Sequence, residues 1–151
     1  MTTTALTSSP LPLPAPTVHF RAEAWWTCRS SGQYTWRNRS DCLLATGHPL
    51  SVVPPTIRNV LDLDTTPVPG WKGLTPTWYG ITCRIGRATL WLPVQENPGQ
   101  LRSFSLLVLL PGQDLQDAPP FVHLGAQFLV EYQVQVALDG APPVSGRLVI
   151  P

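Results

Sequence analysis

The feature that most constrains this chain is how often it is interrupted by proline, eighteen times in 151 residues. Proline fixes φ, lacks an N–H and clashes with the preceding helical turn, so long helices are excluded. Strand ends, turns and sheet edges tolerate it. Between the prolines, from Val18 onward, the apolar runs are short and rich in β-prone residues, and only residues 54 to 61 offer a helical period. Strands are expected near 17–27, 33–36, 41–45, 78–84, 87–95, 103–110, 121–123, 132–138 and 145–150. The fold class is mainly β. Asp139-Gly140 reads as a hairpin turn between two alternating runs, and Gly86 reads as a second turn, separating Ile81–Ile85 from Ala88–Leu92. Several hairpins in one small domain suggest a closed or folded-over sheet.

With 43% hydrophobic and 13% charged residues the chain has enough apolar surface for one core, and its length suits one domain. Residues 1–16 are different: Thr, Ser, Ala and scattered Leu, ending in Pro10, Pro12, Pro14 and Pro16, a composition expected to form a flexible tail. The formal charge is only +1 and no basic run offers a track for phosphates, so nucleic acid is not an expected partner. Cys28, Cys42 and Cys83 are odd in number and widely spaced, which fits buried free thiols and a reducing, cytoplasmic setting. The apolar run Leu106–Leu110 is much too short to span a bilayer, and no signal-peptide pattern opens the chain, so no membrane segment is expected.

Three segments, in this order, carry a resemblance. The first is Cys42-Leu43-Leu44-Ala45-Thr46-Gly47 followed by His48-Pro49-Leu50-Ser51-Val52-Val53-Pro54. The second is Phe121-Val122-His123-Leu124-Gly125-Ala126-Gln127-Phe128-Leu129. The third is Tyr132 to Asp139. Together they resemble the retropepsin family of aspartic proteases. In that family a hydrophobic strand runs into Asp-Thr-Gly or Asp-Ser-Gly, and a later hydrophobic-hydrophobic-Gly strand passes under the active-site loop before a short helix. Here Ala45 stands where the Asp belongs, and His48 stands where a small residue is usual. The resemblance covers residues 17–151 and implies a closed β-barrel monomer with one short helix.

The resemblance also implies chemistry. Retropepsin-type enzymes are homodimers, each chain supplying one Asp to a pair that shares a proton: one carboxylate activates water, the other polarises the peptide carbonyl. An alanine methyl can do neither, so the chain as written is not expected to cleave its peptide or protein substrate. Two origins fit Ala45: deliberate replacement of the Asp, which is preferred, and a natural pseudoprotease that keeps its groove for binding. By the resemblance Thr46 bonds across the dimer axis and Gly47 lets the backbone turn. His48, Leu124 and Gly125 belong to the substrate-binding region. A mobile hairpin is expected within Thr66 to Gly80, with Gly70, Gly73 and Gly80 supplying flexibility and Trp71 closing over the ligand.

Other candidates are weaker. Asp64-Thr65-Thr66 offers an Asp-Thr pair, but Thr66 occupies the glycine position and Pro67 follows, which favours a loop. His19, His48 and His123 have no partners at metal-ligand spacing, so neither metal nor cofactor is expected. Ser51 has no nucleophile elbow around it. The six tryptophans, among them Trp25, Trp26, Trp36, Trp78 and Trp91, suit a stacking platform for sugars or other ligands. Core packing is the plainer use of such residues.

Overall fold

A computed structural model describes residues 1–11, 17–30, 32–68, 76–116, 120–140 and 144–151. Its elements are β1 (Thr2–Leu11), β2 (Thr17–Ala22), β3 (Trp25–Arg29), β4 (Thr35–Arg39), β5 (Cys42–Leu44), β6 (Ser51–Val52), α1 (Pro55–Leu61), β7 (Thr66–Pro67), β8 (Thr77–Trp78), β9 (Ile81–Pro93), β10 (Leu101–Pro111), β11 (Val122–Leu124), α2 (Ala126–Glu131), β12 (Gln135–Asp139) and β13 (Ser145–Ile150). The main path of pairing runs β12-β13-β1-β2-β5-β11-β6-β10-β9-β3-β4, with β7 and β8 added onto β9.

The mainly β class holds. Several details differ from expectation. The pairing path has two ends, β12 and β4, so among the described residues the sheet is not a closed barrel. Two short helices are present instead of one, because Pro55 at the first helical position starts α1 as well. The third concerns the N-terminal segment: Thr2–Leu11 is a strand, pairing with β13 from Thr2↔Ile150 to Thr7↔Ser145 and with β2 from Thr7↔Arg21 to Leu11↔Thr17. Its alternation was the missed signal, for Thr4 and Leu6 are buried while Ala5 and Thr7 face outward.

Gly86 is not a turn either. β9 runs unbroken through it and pairs with β10 from Leu101↔Pro93 to Pro111↔Cys83. The parity of burial switches at this glycine: Cys83 and Ile85 join a small core with Leu50, Val52, Trp78 and Leu109. Ala88, Leu90 and Leu92 join the main core around Trp26, Phe104 and Phe128. A phase change in the hydrophobic pattern looks the same whether a chain reverses or one strand passes from one core to another. The glycine suits a close approach, since a Cβ there would lie 3.2 Å from Leu110 Cδ1 and 3.3 Å from the Thr66 carbonyl oxygen of β7, tight enough that these neighbours would have to shift. β12 and β13 are antiparallel neighbours, as expected, but Asp139 is itself paired with Ser145 and so belongs to the strand and not to the turn; residues 141–143 of the connection lie outside the described residues.

Candidate active site

β5 ends at Leu44 and β6 begins at Ser51, leaving residues 45–50 as a loop between them. β11 lies between these two strands, parallel to β5 (Val122↔Cys42 to Leu124↔Leu44) and antiparallel to β6 (His123↔Val52). The ladder continues into the loop, where the Ala45 N–H donates to the Leu124 carbonyl at 2.9 Å and the His48 N–H returns to the Ala45 carbonyl at 3.0 Å. At the start of α2, the Ala126 and Gln127 N–H groups donate to the carbonyls of His48 and Pro49, both at 2.8 Å. These donors are among the four that a helix start leaves unsatisfied, so holding the loop also caps the helix.

Close packing of two backbones makes this possible. A Cβ on Gly125 would lie 2.5 Å from the carbonyl carbon and oxygen of Leu50 and 2.8 Å from the Ser51 nitrogen, too close for any side chain. The buried Gly125 N–H instead donates to Ser51 Oγ at 3.0 Å. Ser51 is thus a strut beneath the loop, consistent with its lack of a nucleophile's surroundings.

Above this crossing the side chains are aromatic. Strand alternation sends Val122 and Leu124 into the main core and His123 to the other face, where its ring centroid is 5.7 Å from Trp78 and 5.6 Å from His48. His48 also meets Tyr79 edge-on at 5.7 Å. Tyr79 and Gly80, with φ of 48° and 79°, form the two-residue tip of the β8–β9 hairpin, the conformation favoured in tight hairpins. Partial burial lowers the pKa of His48 below the usual histidine value, favouring the neutral ring.

Of the site residues expected from sequence, Ala45, Thr46, Gly47, His48, Leu124 and Gly125 gather at one crossing. Thr46 and Gly47 are exposed and Ala45 and His48 are half-buried, whereas Leu124 and Gly125 lie buried beneath the loop. Trp71 and Gly73 fall outside the described residues. Of the expected mobile hairpin, Thr66–Val68 and Pro76–Gly80 are described, and its end supplies the Tyr79–Gly80 tip. The sequence did not point to Tyr79, Trp78 and His123 as one aromatic cluster with His48. A glycine in second place between two β-prone runs was the available signal for the tip.

Asp64 is occupied elsewhere. Its carboxylate pairs with Arg29 at 3.2 Å and its N–H donates to the Thr27 carbonyl of β3 at 3.1 Å. The three cysteines are free and buried, and burial pushes the Cys42 thiol up to about 12, which removes it as a nucleophile beside the loop. Among the described residues no cluster of three His, Cys, Asp or Glu is placed to hold a metal ion, and no helix is long and apolar enough to cross a membrane.

Neither a family model nor a curated protein matches this chain. Among solved structures it is similar to a retropepsin-like aspartic protease from Rickettsia conorii, with 12% sequence identity and a TM-score of 0.48 over 97% of this chain and 92% of that one.

Proposed function

We propose that this chain is a retropepsin-like aspartic endopeptidase protomer, silent as written because Ala45 holds the position of the catalytic Asp. One observation carries the reading. The strand ending in Leu124-Gly125 is threaded between the two strands that flank Ala45-Thr46-Gly47, so the two most motif-like segments of the sequence meet backbone to backbone. In this reading two copies bring their loops together, and Thr46 of each fixes the pair. A peptide lies extended between the loops and the hairpin tips, adding backbone hydrogen bonds as a strand would. With Asp at 45, the carboxylate pair would share one proton and hydrolyse the peptide through an activated water.

A second reading keeps the same groove for peptide binding without hydrolysis. It is favoured by the completeness of the loop's supports despite the alanine: the Ala45, His48, Ala126 and Gln127 N–H groups are all bonded. Ala45→Asp separates the two. Acid-favoured cleavage of a peptide library by the substituted chain, blocked by a pepstatin-class inhibitor and absent from the unaltered chain, supports the protease. Silence of a folded, dimeric Ala45→Asp chain that still retains peptides supports binding. Cleavage by both forms equally would remove position 45 from the mechanism.

A further inference from the structure

Away from the core, the part of the sheet built from β4, β3 and β9 carries a different chemistry. Cross-strand register sets Trp25 opposite both Arg39 and Trp91, and Thr27 opposite Arg37. The Arg37 guanidinium lies 4.8 Å from the centroid of Trp91 and that of Arg39 lies 5.6 Å from Trp25. Trp91 is fixed in turn, its Nε1–H donating to Thr27 Oγ1 at 2.9 Å. Arg39 is shared between Glu23 at 2.8 Å and Asp41 at 3.3 Å, and Arg29 is held by Asp64. Arg37 is exposed and, among the described residues, makes no ion pair. β4 also ends the pairing path, so its outer backbone edge has no strand partner among the described residues.

We infer that the outer edge of β4 is a docking strand for an extended acidic peptide segment, with Arg37 as its main carboxylate contact. An open edge offers N–H and C=O groups to any incoming strand, and charge decides which strand is admitted. A second copy's β4 would bring a second unpaired Arg37 to the same edge and no free carboxylate to meet the first, and like charges opposed across strands are disfavoured. Carboxylates at alternate positions of an added strand fall on one face, the face on which Arg37 is free while Arg39 is already held by Glu23 and Asp41. Trp91 stands two strands inward, so stacking on it holds the Arg37 side chain over the face of the sheet on the β3 side of β4, where a glutamate of the added strand, leaning across β4, meets its forked N–H donors with little further loss of freedom. The inference is independent of the active-site reading.

The test is fluorescence anisotropy of labelled extended peptides against the full chain at low salt, comparing alternating Glu–Val, Gln–Val and Lys–Val sequences and an oligothymidylate. The Glu–Val peptide is expected to bind about tenfold or more tighter than Gln–Val, and to be released as salt rises and screens the pairs. Arg37→Glu is expected to abolish that binding while lowering the melting temperature only slightly, by loss of the stack on Trp91. Arg37→Lys should weaken it severalfold, since an ammonium neither stacks nor forks. Equal binding of the Glu and Gln peptides, or Glu–Val binding undiminished in Arg37→Glu, overturns the inference. Tighter binding of the oligothymidylate overturns it in favour of a nucleic-acid surface using Trp25 and Trp91 for stacking.

Discussion

At Gly125 a methyl group has nowhere to go, because the Leu50 carbonyl already occupies its place. Gly125→Ala must therefore push two backbones apart, at a cost of about 3 kcal/mol or more. Ser51→Ala removes the acceptor for the buried Gly125 N–H and should cost about 1–3 kcal/mol, the penalty for an unsatisfied buried donor. Chemical denaturation of both variants checks these figures, and a Gly125→Ala chain as stable as the parent would mean that β11 does not run under the loop. His48 gives a pH-dependent effect at the same site. Because its folded pKa is lowered, the unfolded chain takes up the proton first. Its contribution to stability is complete above about pH 6.5 and is lost as the pH falls from there through the folded value. Between about pH 7.5 and about pH 5.5 the melting temperature of the parent should drop modestly further than that of His48→Gln, the effect being muted by the ring's partial exposure. The glycine requirement was legible from its place in the motif. The Tyr79 and His123 contacts were not, since they join segments more than thirty residues away from His48 in the chain.

β1 shows how an element can be hidden by composition. Proline and small polar residues point to a tail, yet the strand sits between β13 and β2, with Thr4 and Leu6 buried and the Thr4 hydroxyl donating to the Pro93 carbonyl at 2.9 Å. Deleting residues 2–11 would expose two strand edges and strip Leu6 from the main core. That loss is comparable with the whole stability of a small domain, about 5–15 kcal/mol. We expect the shortened chain to lose its cooperative melting transition and near-ultraviolet circular dichroism, whereas an unstructured tail could be removed without change in either. β9 was misread for a related reason. Local alternation reports which side of a strand is covered, but it cannot tell that one strand serves two cores on opposite faces.

On the scale of the whole molecule, one chain presents one loop at 45–47, and aspartic chemistry of the proposed kind needs two. In the Ala45→Asp chain, the cleavage rate per chain should therefore fall on dilution as dimers dissociate. A rate per chain independent of concentration at every dilution would place a complete site within one copy. The proline spacing, the short β-prone runs and the segments around Ala45 and Gly125 determined by themselves that the chain is mainly β and which segments are motif-like, because turn chemistry and strand preference act over a few residues. Only the tertiary structure decided that the first strand joins the sheet, that β9 passes through Gly86 without turning, that the sheet has open ends among the described residues, and that Tyr79 reaches His48. Each of these depends on which distant segment supplies the missing hydrogen bonds and buried area, and pairings over such separations are fixed by the folded whole.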